Sequence, residues 1–442
     1  MPLILRLYPD QPMPLAHAPF IPDAVRRQHA AFITGDTRFA AAARLLASLW
    51  RADQNLPAGI QVERGSGDKA GKTRKLRAGW RLRREDALAG GTFLTPEIAA
   101  FVRRALILRE PGAMWDEVKI LGHLLSSQGL ALNLFGPMAL NLDLASRVWS
   151  QLLPDFVHQV TGLKFETSPG RGDERHLQDG TAFDLQLEVI TPDGEPAFAA
   201  IELKFIEQMV GPSASVRTRY GDVARATALY KFPDDPLLYR PGIEQLRREH
   251  TLAQLMVDQG HASRGLFILM GPSLNRRVAA SAKVYANTLV VPLGVTPDRV
   301  GFVHLPLETI LDALVHAGAA DHARAVHARY LDFDRVAAVA LNNVPLAPKP
   351  SGPPSSPLAL PSPRPSATSS AASVNDGDTP AANPVHAEEP TPTASPTQTQ
   401  ACRSSLRRSR QRTLSPSAAP AAQCCPRSTR KGILNASSGG NS

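Results

Sequence analysis

Asp184, Glu202 and Lys204 are the residues whose types and spacing point to chemistry. They lie in the stretch 182–205, AFDLQLEVITPDGEPAFAAIELKF, two apolar runs joined at Pro192-Asp193-Gly194. In such a turn Pro presets φ at the second position and Gly supplies a positive φ, so a β-hairpin is predicted. Period-two alternation puts Phe183, Leu185, Leu187 and Val189 on one face of the first strand and Asp184, Gln186 and Glu188 on the other. In the second strand Ile201, Leu203 and Phe205 share a face, and Glu202 and Lys204 point the opposite way. Asp184 stands nine residues before Asp193 and Glu202 nine after it, so a regular hairpin makes them cross-strand neighbours.

Two carboxylates side by side in an apolar sheet are costly unless positive charge lies between them. Mg²⁺ meets that need, because it prefers hard oxygen ligands from one or two carboxylates and completes its octahedron with water and substrate phosphate. Lys204, on the same face as Glu202, is placed to orient or help deprotonate a water on such a cation. It would also offset charge on a scissile phosphate. Acid, acid and lysine in this arrangement suit phosphodiester hydrolysis. Glu-x-Lys alone recurs by chance in a chain of this length, so the signal is the whole pattern of strand, turn, strand and matched distances. The competing reading is a sheet with one solvated face, where Glu188 and Lys204 are cross-strand salt-bridge partners. Spacing alone leaves both open.

The flanking elements make the chain α/β. Helical patterning covers 24–51, breaks over 58–79, and resumes at Thr95-Pro96-Glu97, with Thr as N-cap and Pro at the first helical position. Further helices are predicted over 114–128 and 141–153, the latter stopped before Pro154. FVHQVTGLKFE (156–166) reads as a strand before the hairpin, followed by a glycine-rich loop over 168–180. PGIEQLRREHTLAQLMVDQG (241–260) reads as a helix closed by Gly260. RGLFILMG (264–271) and NTLVVPLG (287–294) then read as strands, and 306–330 as helix. Ser126, Ser127, Gln128 and Asn133 cluster around a helix end, fit either to brace a site wall or to reach substrate.

Composition sets the folded span. Seventeen of the 39 prolines lie in the last 102 of the 442 residues, where no periodic apolar run survives. Such a segment cannot repay its ordering entropy, so a disordered tail is predicted over 339–442. That leaves an N-terminal helical region with a basic segment (1–90) and a main domain (91–338). Residues 341–442 hold ten Lys/Arg against four Asp/Glu and so supply six of the nine net positive charges. The folded part is therefore nearly balanced, and its local exception is eight cations in the sixteen residues 69–84. Lys72, Arg74, Lys75 and Arg77 in that run are candidates for phosphate contacts, against the alternative of a solvated face. The tail's own basic run, eight cations and no acid over 402–431, reads either as a nucleic-acid arm or as a segment without catalytic content.

Several chemistries are excluded. All three cysteines (402, 424, 425) fall in the tail, and the twelve histidines form no zinc spacing. RGSGDKAGKT at 64–73 ends Gly-Lys-Thr but lacks the first glycine of a phosphate-binding loop at the required spacing, so no nucleotide cofactor is expected. No Gly-x-Ser-x-Gly nucleophile motif is present. No run approaches the roughly eighteen apolar residues of a membrane span, and MPLILRLYPD is a poor secretion signal. A soluble cytoplasmic protein with no membrane partner is expected.

Asp184 with Glu202-Leu203-Lys204 resembles the catalytic core of the PD-(D/E)XK nuclease superfamily, the restriction-endonuclease-like fold. TAFDLQLEV and AAIELKF sit where that core has its second and third strands, and Phe183 stands where the superfamily's name has proline. LLSSQGLALNLFGP (124–137), FETSPGR (165–171), TAFD (181–184) and ARYLDF (328–333) are similar to a little-characterised bacterial branch of restriction-endonuclease-like proteins. The likeness spans roughly 60–335. It implies a small mixed sheet flanked by helices and a DNA phosphodiesterase using Mg²⁺ or Mn²⁺. Asp184 and Glu202 would be metal ligands, the Leu203 carbonyl a further one, and Lys204 the water-positioning residue. The superfamily often adds a glutamate, for which Glu166 is the first candidate and Glu117 the second. In such nucleases the helix after the hairpin often lends polar groups, here Arg248 and Gln254. Paired cuts on two strands often need two copies, so a homodimer is compatible. The fold also serves RNA-processing nucleases and non-catalytic nucleic-acid binders, which stay open.

Overall fold

The computed structural model describes residues 15–64, 73–211, 217–291, 296 and 298–343. Lys69 and Lys72, the three cysteines and the proline-rich segment after 343 lie outside the described residues.

The helix expected over 24–51 is two helices, α1 (Asp23–Gln28) and α2 (Arg38–Asp53). The chain turns between them at Ala30 and Gly35, both at positive φ. Asp36 fixes the turn by accepting from Arg26 and from both Arg44 Nε and Nη2. Thr37 caps α2, its hydroxyl accepting from the Ala40 N–H at 3.1 Å. The expected break over 58–79 is instead an antiparallel ribbon, β1 (Ala58–Arg64) and β2 (Thr73–Leu82). Its alternation was masked because Ile60 and Val62 are exposed apolar residues and their cross-strand neighbours Arg77 and Lys75 are basic.

Next come α3 (Arg84–Leu88), α4 (Pro96–Ile107), α5 (Glu117–Gly122), α6 (Ser127–Leu140) and α7 (Leu142–Leu152). Thr95 caps α4 as expected. The helix expected over 114–128 is the short α5; α6 starts at Ser127, capped by Ser126, and continues through Pro137. The sheet and its covering helices follow: β3 (Gln159–Thr167), β4 (Phe183–Ile190), β5 (Pro196–Leu203), α8 (Thr218–Ala226), α9 (Glu244–Asp258), β6 (Arg264–Gly271), α10 (Arg276–Thr288) and β7 (Gly301–Pro306). Residues 292–294 of the strand expected at 287–294 lie outside the described residues, and over 287–291 it gives way to the end of α10 and a lone bridge from Leu289 to Tyr230; the fifth strand is β7. The helix expected over 306–330 is α11 (Leu307–His316) and α12 (Ala320–Tyr330), interrupted at Gly318 with φ +86°, and α13 (Phe333–Asn342) closes the described chain.

The strands are ordered β3-β4-β5-β6-β7, antiparallel through β5 and parallel from β5 to β7. Leu185, Leu187, Ile201, Leu203 and Ile268 bury one face against helical residues such as Leu134, Val148 and Leu311. Phe198, Ala200, Phe267 and Leu269 bury the other against Tyr220, Leu252 and Tyr285. Every β5 residue after Pro196 is buried, so the reading with one solvated face does not hold at Glu202 and Lys204. Phe183 joins the second core and not that of Leu185. It pairs with Thr167, beside a distortion at Glu166. No break in packing marks residue 90: Leu45, Leu46 and Trp80 share one core with Leu130 and Ile201. Among the described residues no helix is long and apolar enough to cross a membrane.

One buried histidine couples this core to pH. His250 on α9 bonds Tyr285 Oη at 2.9 Å and the Val300 carbonyl at 2.9 Å, and its ring stacks on Phe267. Burial pushes its imidazole from 6.5 down to about 4. The unfolded chain therefore binds the extra proton first, and stability falls as pH drops from 6.5 towards 4, by about 3 kcal/mol. Urea unfolding followed by circular dichroism should show this slope, reduced in His250→Gln. A residual slope is expected from His123, which burial and then Arg81 push down to about 3.

Candidate active site

Three adjacent strands bring a row of carboxylates to one end of the sheet. Leu185 pairs with Ile201, and in that register Asp184 stands opposite Glu202. Phe165 and Thr167 pair with Leu185 and Phe183, which sets Glu166 opposite Asp184. Glu166, Asp184 and Glu202 thus line one cleft of about 980 Å³, together with Lys204. The Leu203 N–H donates to Asp184 Oδ2 at 2.8 Å. Lys204 extends the β5 pairing, its N–H donating to the Met270 carbonyl at 2.8 Å, and its Nζ donates to Glu202 Oε1 and, at 2.8 Å, to Gln245 Oε1.

Glu166 has φ +49°, a left-handed conformation that costs a non-glycine residue about 1 kcal/mol or more. It persists because Glu166 is tied on both sides: Gln128 Nε2 donates to its Oε1 at 2.5 Å, and Asp184 shares a hydrogen bond with it. Burial pushes the Glu166 carboxyl up to about 7, helped by the Glu202 charge and opposed by Gln128. Burial, then the charges of Glu202 and Glu166, raise Asp184 well above the usual carboxylate range. Burial lowers the Lys204 amine, but Glu202, Glu249, Glu207 and Asp184 outweigh it and hold the amine above its ordinary value. Lys204 is therefore an ammonium, a proton holder at Nζ.

The sequence reading missed two members of this network. Gln245 on α9 donates to Glu202 Oε1 at 2.8 Å and to Glu249 Oε1 at 2.7 Å. Glu249 is buried, with its second oxygen unpartnered, and burial followed by the Glu202 charge raises its carboxyl. The signal that could have found them is helical spacing: Gln245 and Glu249, four apart, share one face of α9.

Gln254 is a correction. It is buried on the far side of α9, donating to Asp258 Oδ1 and the Asp298 carbonyl and accepting from the Val300 N–H, so it ties α9 to the approach of β7. Glu117 is another, since it is half exposed, pairs with Arg109 and does not line the cleft. Arg248 does line the cleft, held by Glu244 and donating to Thr181 Oγ1 at 2.7 Å. Asn133 is buried among Thr92, Leu94, Gly129 and Tyr330, which makes it a brace. Arg74, Lys75 and Arg77 lie on β2 and stay outside the cleft. Lys75 and Arg77 line a neighbouring groove of about 1020 Å³, and α5 stands between groove and cleft, with Glu117 and Val118 facing the first and Lys119 the second.

Among the described residues no three His, Cys, Asp or Glu side chains are gathered into a ready-made cation cage. The donor set still suits a hard divalent cation. Carboxylates pressed together in a buried row, with raised proton affinity and an ammonium bonded to one of them, show a site short of positive charge. Asp184 and Glu202 supply the one or two carboxylates that Mg²⁺ uses, with water completing the shell.

A five-stranded mixed sheet covered by helices on both faces, with acids and a lysine at one end of its central strands, defines a restriction-endonuclease-like fold. Residues 34–332 match the PD-(D/E)XK nuclease superfamily, and the chain belongs to it. No curated protein and no solved structure matches the chain.

Proposed function

We propose that the protein is a metal-dependent DNA endonuclease in which Asp184 and Glu202, with the Leu203 carbonyl, hold Mg²⁺ or Mn²⁺, and Glu166 completes the acidic row. The observation that carries this reading is the register placing Glu166, Asp184 and Glu202 side by side in one cleft with Lys204. When bound, the cation supplies Lewis acidity and a more acidic water. Lys204 orients the attacking water through Nζ and offsets charge gathering on the phosphate, while Gln245 fixes both Lys204 and Glu202. Gln128 holds Glu166 in its left-handed pose. Arg248 at the cleft and Lys75 and Arg77 on the ribbon hold the DNA backbone without reading bases. The reading includes a homodimer for paired cuts.

The test is cleavage of supercoiled and linear DNA with Mg²⁺, Mn²⁺ or EDTA. Nicking is expected with either metal and not with EDTA, and Lys204→Ala should lower its rate by about a hundredfold or more while leaving DNA retention in a gel shift. Retention without cutting under any metal would mark a non-catalytic binder, and cutting of RNA alone an RNA nuclease.

A further inference from the structure

A second concave site lies in the N-terminal part of the chain, apart from the carboxylate cleft and sharing no residue with it. The pocket, of about 430 Å³, is walled by the turn after α1, the last turns of α2 and the ribbon strand β2. Arg27, Arg51, Arg74 and Arg77 line it, and no carboxylate does so among the described residues.

The pocket is built, not incidental. Gly79 on β2 clamps its floor: its N–H donates to the Ala30 carbonyl at 2.9 Å, and its carbonyl accepts from Arg51 Nε at 2.9 Å. A side chain at Gly79 would strike Ser48 Oγ and the His29 carbonyl, so the ribbon is pressed onto α2 there. Arg51 is also held by the Leu56 carbonyl, so two main-chain oxygens fix its guanidinium. Arg27 is set with its guanidinium 3.6 Å from the centroid of the Phe32 ring. Burial and then the nearby Arg77 charge lower the Arg51 guanidinium, so Arg77 lies close enough for Arg51 to feel its charge. Guanidinium forks match the oxygens of a phosphate, and a concave pocket lined by several of them favours the dianionic, terminal form over an internal diester, which a flat basic surface can hold.

We infer that this pocket binds a phosphomonoester dianion through Arg27, Arg51, Arg74 and Arg77. The source is either the phosphorylated end of a nucleic-acid strand or a free nucleotide or phosphate. Only the first source rests on the nuclease reading.

Calorimetry on the full, metal-free chain tests it with inorganic phosphate as the probe. Saturable binding is expected, weakened about tenfold in Arg77→Gln and in Arg27→Gln, both exposed positions whose loss leaves the thermal midpoint unchanged. Arg51 is not used, because it braces the fold. Paired oligonucleotides with a phosphate or a hydroxyl at each end, bound in EDTA, separate the sources. A preference of about tenfold for the phosphorylated end, lost in Arg77→Gln but kept in Lys75→Gln, identifies the strand end. Equal binding of the pair alongside phosphate binding identifies the free anion. No saturable phosphate binding, or equal binding by the wild type and both arginine variants, overturns the inference. Cleavage is not read in any arm, so failure of the nuclease reading and failure of this one are distinguishable.

Discussion

Asp184→Asn is expected to abolish metal-dependent cleavage and at the same time raise the thermal midpoint of the metal-free protein. The two effects share a cause. Burial and the charges of Glu202 and Glu166 raise the proton affinity of Asp184, so its carboxylate form is a cost that folding bears. An amide occupies the same space, keeps an oxygen to accept the Leu203 N–H, and brings no charge. Relief of about 1 kcal/mol corresponds to a rise of about 2–4 °C for a domain of this size. The same amide is a poor ligand for a hard cation, so turnover should fall by about a thousandfold or more. Added Mg²⁺ should raise the midpoint of the wild type and leave that of the variant nearly unmoved, since a ligand stabilises only the form that binds it. Asp184→Ala should behave differently, losing cleavage and also stability, because the Leu203 N–H is then buried without its acceptor. Cleavage retained by Asp184→Asn would remove this residue from the reaction.

The hairpin was legible because two independent signals agree on one register. The Pro-Asp-Gly turn fixes where the chain reverses, and the alternation fixes which residues face together, so Asp184 opposite Glu202 follows from counting. Lys204 follows from Glu202 by the same count. Glu166 came from the resemblance. Its place in the row depends on the β3–β4 register, and its left-handed backbone is imposed by the bonds to Gln128 and Asp184, which no local pattern encodes. The helix after the hairpin was recognised, but not the face it presents. Gln245 and Gln254 are nine residues apart, about two and a half turns, so they point to opposite sides of α9, and choosing Gln254 chose the wrong side. Glu249, one turn after Gln245, was lost with it. The ribbon escaped notice for a different reason. Strand patterning looks for polar residues alternating with buried ones, and on β1 and β2 the apolar Ile60 and Val62 sit in solvent among cations. Similarly, Val290 is about half exposed, whereas GFVHLP, the less apolar run, forms β7 because β6 offers it a parallel edge.

Phe205→Ala should lower both stability and turnover, and the second loss should exceed the first. Phe205 follows Lys204 directly and is buried in an aromatic bracket, edge-on to Phe39 of α2 at 6.3 Å and to Tyr330 of α12 at 5.5 Å. Phe39 leans in turn on Phe333 at 5.3 Å, and Tyr330 Oη accepts from Asn133 at 2.9 Å, so these contacts tie four helices, α2, α6, α12 and α13, to the end of β5. Removing the ring leaves a cavity the bracket cannot collapse, at a cost of about 3–5 kcal/mol and a fall in thermal midpoint of roughly 10 °C. Phe205→Leu should restore most of that loss, since it refills the space without the edge-on geometry. The Lys204 amine is held by Glu202 and Gln245, and the main chain that carries it is held by the Lys204 N–H donating to the Met270 carbonyl, by Asn275 Nδ2 donating to the Phe205 carbonyl and by the buried Phe205 ring. With the anchor gone, Nζ should stray from the position where it acts, and a shift of about 1 Å is enough to cost about a hundredfold. Below the midpoint, Phe205→Ala should therefore show a reduced kcat with a KM for DNA close to that of the wild type. If kcat falls only in proportion to the unfolded fraction, the aromatic bracket holds the fold together and does not position the lysine.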